Sequence, residues 1–287
     1  MELRQLHYFV TVAGTLNFSK AARILFITQG TLSQQIQQLE AELGHELFVR
    51  NSHKVELTDS GMELLPLARE TIAASDHCLE RMRDLKQGLS GTLNIGMTQS
   101  FAGLVNPVIR KFAIQNPMVK LNVMYESATG LHEMLQAGML DFIIAFKPAA
   151  MYENVVSEPF MESQLAVVMR QGHALAKRES LSFNDLAGYS IVLPGNGMQS
   201  RKAFEKYVNV DTSALNVRIE ITDPMAILSI LEGTNMVSII STLALHYNPH
   251  LVSVPLEGMN RTMLGCVHWL QSSYRKKAAQ AFAEMLK

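Results

Sequence analysis

Apolar positions at the start of the chain come in helical steps. Leu3, Leu6, Val10 and Ala13 recur at spacings of three and four, one face of an amphipathic helix, and Gly14 follows as the expected stop. Ser19 precedes KAARIL, where an N-cap hydroxyl would satisfy the free amides of a second helix. Ala21 and Ala22 are small enough for another helix to cross closely. After the short connection FIT, Thr28 is placed to cap a third helix running to about Leu43, with Gly44 just beyond it. Leu32, Ile36, Leu39 and Leu43 share one face of that helix and are its expected core side, while Gln29, Ser33, Gln34 and Gln37 share the other. Two short alternating runs, LFVR and KVEL, then flank NSH, the pattern of a β-hairpin.

From Asp59 to about Leu89 the pattern is that of one long helix, with Thr58 or Asp59 as its cap and Pro66 in an early turn. Leu65, Ala68, Ile72, Ser75, Leu79 and Met82 step alternately by three and four, the seam of a coiled coil. QGLSGT, residues 87–92, reads as a hinge. Beyond it strands alternate with helices: TLNIGM, a helix ended by Asn116-Pro117, VKLNVMYE, the helix GLHEMLQAG, and DFIIAF. This β-α-β-α-β order predicts a parallel sheet with right-handed crossovers. A second set of elements follows, from SQLAVVM to VSIIS, with helices at RKAFEKYV and DPMAILSILEGT.

A short helix, a tight turn and a second helix with a polar outer face match a helix-turn-helix, whose second helix enters a DNA major groove, and match equally a three-helix bundle with no DNA role. Arg50 and Lys54 sit where a hairpin wing would meet the phosphate backbone. Charge does not decide the matter. The 287-residue chain has a net charge of −1, and residues 1–58 carry as many acidic as basic side chains. Any nucleic-acid contact must therefore be local. With 48% hydrophobic and 18% charged residues the chain is of ordinary globular composition. The two cysteines, Cys78 and Cys266, form no CxxC and suggest neither a disulfide framework nor a zinc site. No secretory order at MELRQLHYFV and no apolar run long enough for a membrane helix leave a cytoplasmic protein without membrane contact as the reading.

Residues 3–61 resemble the winged helix-turn-helix of LysR-type transcriptional regulators without a gap. The resemblance runs through Phe18, Ala21, Ala22, Leu25, Gln29 and Ser33, then Ile36, Leu39, Gly44, Phe48, Arg50, Thr58 and Gly61. Two positions depart from the family pattern: Gly30 replaces a usual proline and Gln34 a frequent arginine. HALAKRESLSFNDLAGYSIVL is similar to a family stretch between the crossover and the second lobe, and EGTNMVSIIS departs from the family's usual GxGIxxxP, with Asn235 and Ser241 in place of glycine and proline. The resemblance implies an α/β fold overall. Its parts would be a winged helix-turn-helix (1–58), a linker helix that dimerises (59–89), and a two-lobed periplasmic-binding-protein-like effector domain (90–287). Lobe I would comprise 90–162 and 266–287, lobe II 163–265, with crossing strands near 160–165 and 262–268.

The expected DNA contacts are Ser19, Thr28, Gln29, Gly30 and Thr31, then Ser33, Gln34, Gln37, Arg50 and Lys54. Effector chemistry is expected at the carboxyl ends of strands, where helix N-termini offer amides. In the first lobe this singles out Thr98, Gln99, Ser100, Ser127 and Thr129. In the second it singles out Asn196, Gln199, Ser200, Arg201, Thr222 and Asp223. Hydroxyls and amides so placed suit an anion, with Arg201 as counter-charge. Thr98, Ser100, Thr129 and Thr222 could each equally be a helix cap.

No GxSxG, HExxH or GxxxxGK[ST] motif occurs and the nine histidines are scattered, so no catalytic residue, metal site or cofactor is expected. The reading is a regulator that binds double-stranded DNA as a dimer or tetramer and responds to a small effector. The alternative is a small-molecule sensor with no operator.

Overall fold

The computed structural model describes residues 1–51, 54–84, 89–207, 215–246, 248–259, 262–271 and 273–287. The chain divides into two compact units, residues 1–86 with 137–139 and residues 87–136 with 140–287. The expected hinge at 87–92 begins outside the described residues.

The first unit is built on three short helices, α1 (Leu3–Thr15), α2 (Phe18–Ile24) and α3 (Gln29–Leu43). The buried face of α1 differs from the expected one. Leu6, Phe9 and Val12 are fully buried, Val10 and Ala13 only half so, and Leu3 is 37% exposed. The cause is that α1 packs against α2, α3 and the long fourth helix together, which turns the Phe9 edge inward. α1 also runs past Gly14 and stops at Leu16, itself left-handed with φ 47°. Asn17, not Ser19, caps α2, its side chain accepting from the Lys20 amide at 2.8 Å. Thr28 caps α3 as the spacing requires, and Gly44 ends it at φ 71°. Leu32, Ile36 and Leu39 have no exposed surface, each worth roughly 1.5–3 kcal/mol of apolar burial.

Strands β1 (Phe48–Asn51) and β2 (Lys54–Leu57) pair antiparallel to form the wing. The half-buried Glu40 carboxylate accepts from the amides of Leu47 and Phe48, tying the wing to the last turn of α3. α4 (Asp59–Asp84) follows, with Thr58 accepting from the Gly61 amide as its cap. A Cβ on Gly61 would lie 2.2 Å from the Leu47 carbonyl oxygen, so only glycine lets the helix start this close to the wing.

The expected coiled-coil seam is divided. Ala68 is buried, and Leu65 and Ile72 pack into the helical core of the same unit, while Leu79 and Met82 are each 58% exposed. A second stripe, Leu67, Ala74, Cys78 and Met82, is exposed along the whole helix.

The second unit holds two lobes. In the first, β3 (Gly91–Met97), β4 (Val119–Tyr125) and β5 (Phe142–Phe146) are parallel, crossed by α5 (Ala102–Gln115) and α6 (Ala128–Gln136). β6 (Val155–Arg170) is one uninterrupted strand shared by both lobes. Its first part pairs with β11 (Thr262–Leu270), and its last residues pair with β9 (Ser238–Ser241) and β10 (Leu251–Pro255). Lobe II adds α7 (Phe183–Leu186), the parallel pair β7 (Ile191–Pro194) and β8 (Val217–Ile221), and the helices α8 (Gln199–Tyr207) and α9 (Pro224–Glu232). α10 (Lys277–Glu284) returns to lobe I, burying Phe282 against Phe112 and Phe142. Where β6 passes between lobes, Ser163 Oγ lies 2.7 Å from Ser241 Oγ and 3.0 Å from Thr242 Oγ1. Ser241, one of the departures from the family pattern, thus belongs to a hydroxyl cluster at the crossing.

Candidate functional site

α3 presents a continuous polar surface. Thr28, Gln29, Gly30, Thr31, Gln34 and Gln37 are exposed and Ser33 is half-buried. Ser19 is exposed beside the N-terminus of α3 and donates to Gln29 Oε1 at 2.7 Å. The Thr28 and Thr31 hydroxyls lie 2.9 Å apart, so both are partly spent on each other. Gly30 has open space where a side chain would be. Lys54, exposed on the wing, is paired with Glu56 at 2.5 Å, so a phosphate would have to share or displace that carboxylate. The side chain of Arg50 lies outside the described residues.

In the second unit a cavity of about 390 Å³ opens between the lobes, at the carboxyl ends of β3, β4 and β5 on one side and β7 and β8 on the other. Nine of the expected effector residues line it: Thr98, Gln99, Ser100 and Ser127 from lobe I, and Asn196, Gln199, Ser200, Thr222 and Asp223 from lobe II. Thr98 Oγ1 is buried without a hydrogen-bond partner. A buried hydroxyl left unpaired costs on the order of 1–3 kcal/mol, a cost a ligand atom can remove. Thr98 is the N-cap of a short 3-10 turn, yet its side chain makes no capping bond, so capping does not account for it.

Two expectations are corrected. Arg201 does not face the cavity. Its guanidinium is buried against Glu205 (2.6 Å), Glu220 (3.2 Å) and the Pro194 carbonyl (3.1 Å), because one turn of α8 carries it over β7 and β8. Thr129 is one residue past the cavity on α6, a rotation of about 100° that sends it into a separate pocket. The cavity therefore has no basic side chain in its lining, whereas Glu126 and Asp223 are both there. Both carboxylates are already engaged: Asp223 caps α9, accepting from the Met225 amide at 2.9 Å, and Glu126 accepts from the neighbouring Ser127 amide at 2.7 Å.

Gln199 has an unforeseen role. Its side-chain amide pairs with the backbone of Phe146, accepting from its amide at 3.1 Å and donating to its carbonyl at 2.6 Å. That is a two-point bridge between α8 of lobe II and β5 of lobe I. Tyr125 and Glu126 were also missed as lining residues, though their place at the end of VKLNVMYE was the available signal.

Comparison with known proteins decides the family. The LysR substrate binding domain matches residues 86–287, and the bacterial regulatory helix-turn-helix protein domain of the lysR family matches residues 3–62. The chain belongs to the LysR family. Its relatives include the HTH-type transcriptional regulator BudR of Klebsiella aerogenes, 43% identical over 49% of this chain and 100% of that one. The HTH-type transcriptional activator CmpR of a Synechocystis strain is 27% identical over 90% of this chain and 82% of its own. Among solved structures, a full-length OxyR variant from Pseudomonas aeruginosa has a TM-score of 0.78 at 24% identity, covering 100% of this chain and 94% of that one. CbnR complexed with its target DNA has a TM-score of 0.66 at 20% identity, covering 100% and 99%.

As a LysR-family protein, the chain is a DNA-binding transcriptional regulator with a C-terminal effector-binding domain, not an enzyme. Among the described residues no helix is long and apolar enough to cross a membrane.

Proposed function

We propose that this LysR-family regulator reads DNA with the amide-rich face of α3 and senses a small polar effector in the cavity between its lobes. Gln29, Ser33, Gln34 and Gln37 are the base-facing groups. Ser19, Thr28 and Thr31 orient them, Gly30 lets the helix approach closely, and Arg50 and Lys54 hold the wing to phosphates. A domain with no net positive charge has weak single-site affinity. Two copies supply the rest, and the exposed stripe Leu67, Ala74, Cys78 and Met82 of α4 is the surface through which they pair. Pairing of dimers into a tetramer then lets the effector domain set the spacing of bound half-sites. Such a protein works in the cytoplasm, where the DNA is.

The effector reading is carried by one observation, the buried and unpartnered Thr98 hydroxyl lining the interlobe cavity. Two carboxylates and no cation in the lining disfavour a multiply charged anion there. A neutral molecule, or one with a single carboxylate held by helix-terminal amides and hydroxyls, fits the lining. The effector would act only through its different affinity for the two arrangements of the dimer. A thermal-shift screen of small metabolites on the full chain tests this. A hit should raise the melting temperature of the protein and not that of the Thr98→Val variant. A hit that stabilises the variant equally removes Thr98 from the site.

A further inference from the structure

Phe26 is 94% exposed, more than any other large apolar side chain among the described residues. It stands in the turn between α2 and α3 with φ 55°, in the left-handed region that bulky residues rarely enter. Two bonds fix that turn: the Phe26 amide donates to the Arg23 carbonyl at 3.3 Å, and the Ile27 amide to the Ala22 carbonyl at 3.0 Å. This is the Schellman ending of a helix, in which glycine ordinarily takes the left-handed position. Leu16 shares the left-handed geometry, but it is only 47% exposed. Phe26 combines a strained backbone with an aromatic ring left in water, and neither stabilises the fold.

The neighbours hold it there. Leu25 and Ile27 are half-buried and pack on the helical core of the unit, so the residue between them is turned outward. Two peptide units, at most about 7.6 Å from Cα to Cα, separate Phe26 from Thr28, the cap of α3. Thr28, Gln29 and Gly30 are exposed in their turn, so the ring is continuous with the polar face of α3. A helix that enters the major groove by its N-terminal residues brings this turn to the groove as well. The apolar groups that DNA displays there are the C5 methyls of thymine, which a phenylalanine ring can cover. Residues 1–58 carry as many acidic as basic side chains. Such a surface gains from apolar contact, which does not weaken with salt as phosphate pairing does.

We infer that Phe26 is a base-contacting residue of the DNA interface, its ring packed on a thymine methyl beside the base read by Gln29. The inference rests on α3 being the DNA-reading helix. It adds one apolar contact to a face otherwise made of amides and hydroxyls.

Fluorescence-anisotropy titration of the full-length protein tests this, on a duplex that the parent protein has selected from a random library. Phe26→Gly should bind that duplex about fivefold more weakly, near the worth of burying a methyl-sized group. The slope of affinity against salt should stay that of the parent, because no phosphate contact is lost. The chemical-denaturation midpoint should not fall, since the substitution relieves the left-handed strain and removes little buried surface. Uracil in place of thymine, one position at a time, removes a single methyl from the duplex. One such duplex should bind the parent about fivefold more weakly, yet bind the variant no more weakly than the thymine duplex does. The inference is overturned by undiminished affinity in Phe26→Gly, by a loss that no single uracil duplex cancels, or by a lowered midpoint. Gln29→Ala on the same duplex keeps the two failures apart. If Gln29→Ala is weakened and Phe26→Gly is not, only the Phe26 contact falls; if neither is weakened, the reading of α3 falls with it.

Discussion

The Ser19 hydroxyl donates to the side-chain carbonyl of Gln29 across 2.7 Å, joining α2 to the first residue of α3. For the base contact proposed for Gln29, this bond leaves one half of the amide already engaged. A glutamine contacting adenine uses its carbonyl and its NH2 together. With the carbonyl engaged by Ser19, the exposed group is the NH2, a donor suited to the acceptors of guanine, thymine or adenine N7. Replacing Gln29 with Ala should therefore weaken operator binding by about 1 kcal/mol, the low end for a base contact. Replacing Ser19 with Ala should release the carbonyl and sharpen preference for adenine at that base pair. Gel-shift titrations on operators substituted at single positions measure both, and an unchanged base preference in Ser19→Ala would show that the bond does not govern reading.

Gly30 is the second residue of α3, has no neighbour where a Cβ would stand except Thr28 Oγ1 at 3.9 Å, and has no positive φ. For the stability of the unit itself, glycine here contributes only extra freedom to the unfolded chain. Gly30→Ala should stabilise the DNA-binding unit by up to about 1 kcal/mol, read as a shift in its chemical-denaturation midpoint at constant slope. If glycine is there for close approach to DNA, the same variant will lose operator affinity while gaining stability.

The Gln199 bridge to Phe146 spans the two lobes with bonds of 3.1 and 2.6 Å. It replaces hydrogen bonds that Phe146, at the end of β5, would otherwise make to water or ligand. Gln199→Ala should loosen the lobes against each other and cost about 1–2 kcal/mol of effector-domain stability, since two net hydrogen bonds are lost. Amide exchange should rise at Phe146 and at the start of α8 while the core of β5 stays protected. Unchanged exchange at Phe146 would mean that the bridge is not a closing contact.

How far the chain was legible depended on how local each determinant was. Thr28, Gly44 and the Leu32, Ile36, Leu39 face were readable because a cap and a helical stripe are defined within a few residues. The same logic failed on α1, whose inward edge is set by three helices at once, and on Ser19, because Asn17 was nearer the true helix start. In the effector domain nine of eleven expected residues line one cavity, since strand ends in a parallel sheet follow from the element order. Arg201 was misread because its partners Glu205 and Glu220 lie on α8 and β8, and only the folded packing selects them over a ligand. β10 went unseen for a related reason: LVSVP is a short run whose partner in β6 is some eighty residues earlier.

The pH dependence of stability rests on His268. It has no exposed surface, accepts from the Ser157 hydroxyl on Nδ1 at 2.8 Å and donates from Nε2 to the Ala145 carbonyl at 3.2 Å. Both bonds suit the neutral ring. Burial first, then the nearby His132 and Lys147 charges, hold its pKa down at about 4. A base with a depressed folded pKa binds fewer protons folded than unfolded between that value and its ordinary 6.5. Stability is therefore fully present above the ordinary value and is lost as pH falls toward about 4. The loss over that window is at most about 3.5 kcal/mol, from roughly 1.4 kcal/mol per unit. His132 and His173, also lowered by burial, act in the same direction. His268→Asn does not titrate, so melting temperatures recorded from neutral pH to about pH 4 should fall less steeply in the variant than in the parent. A variant slope equal to the parent's would assign the acid sensitivity to other groups.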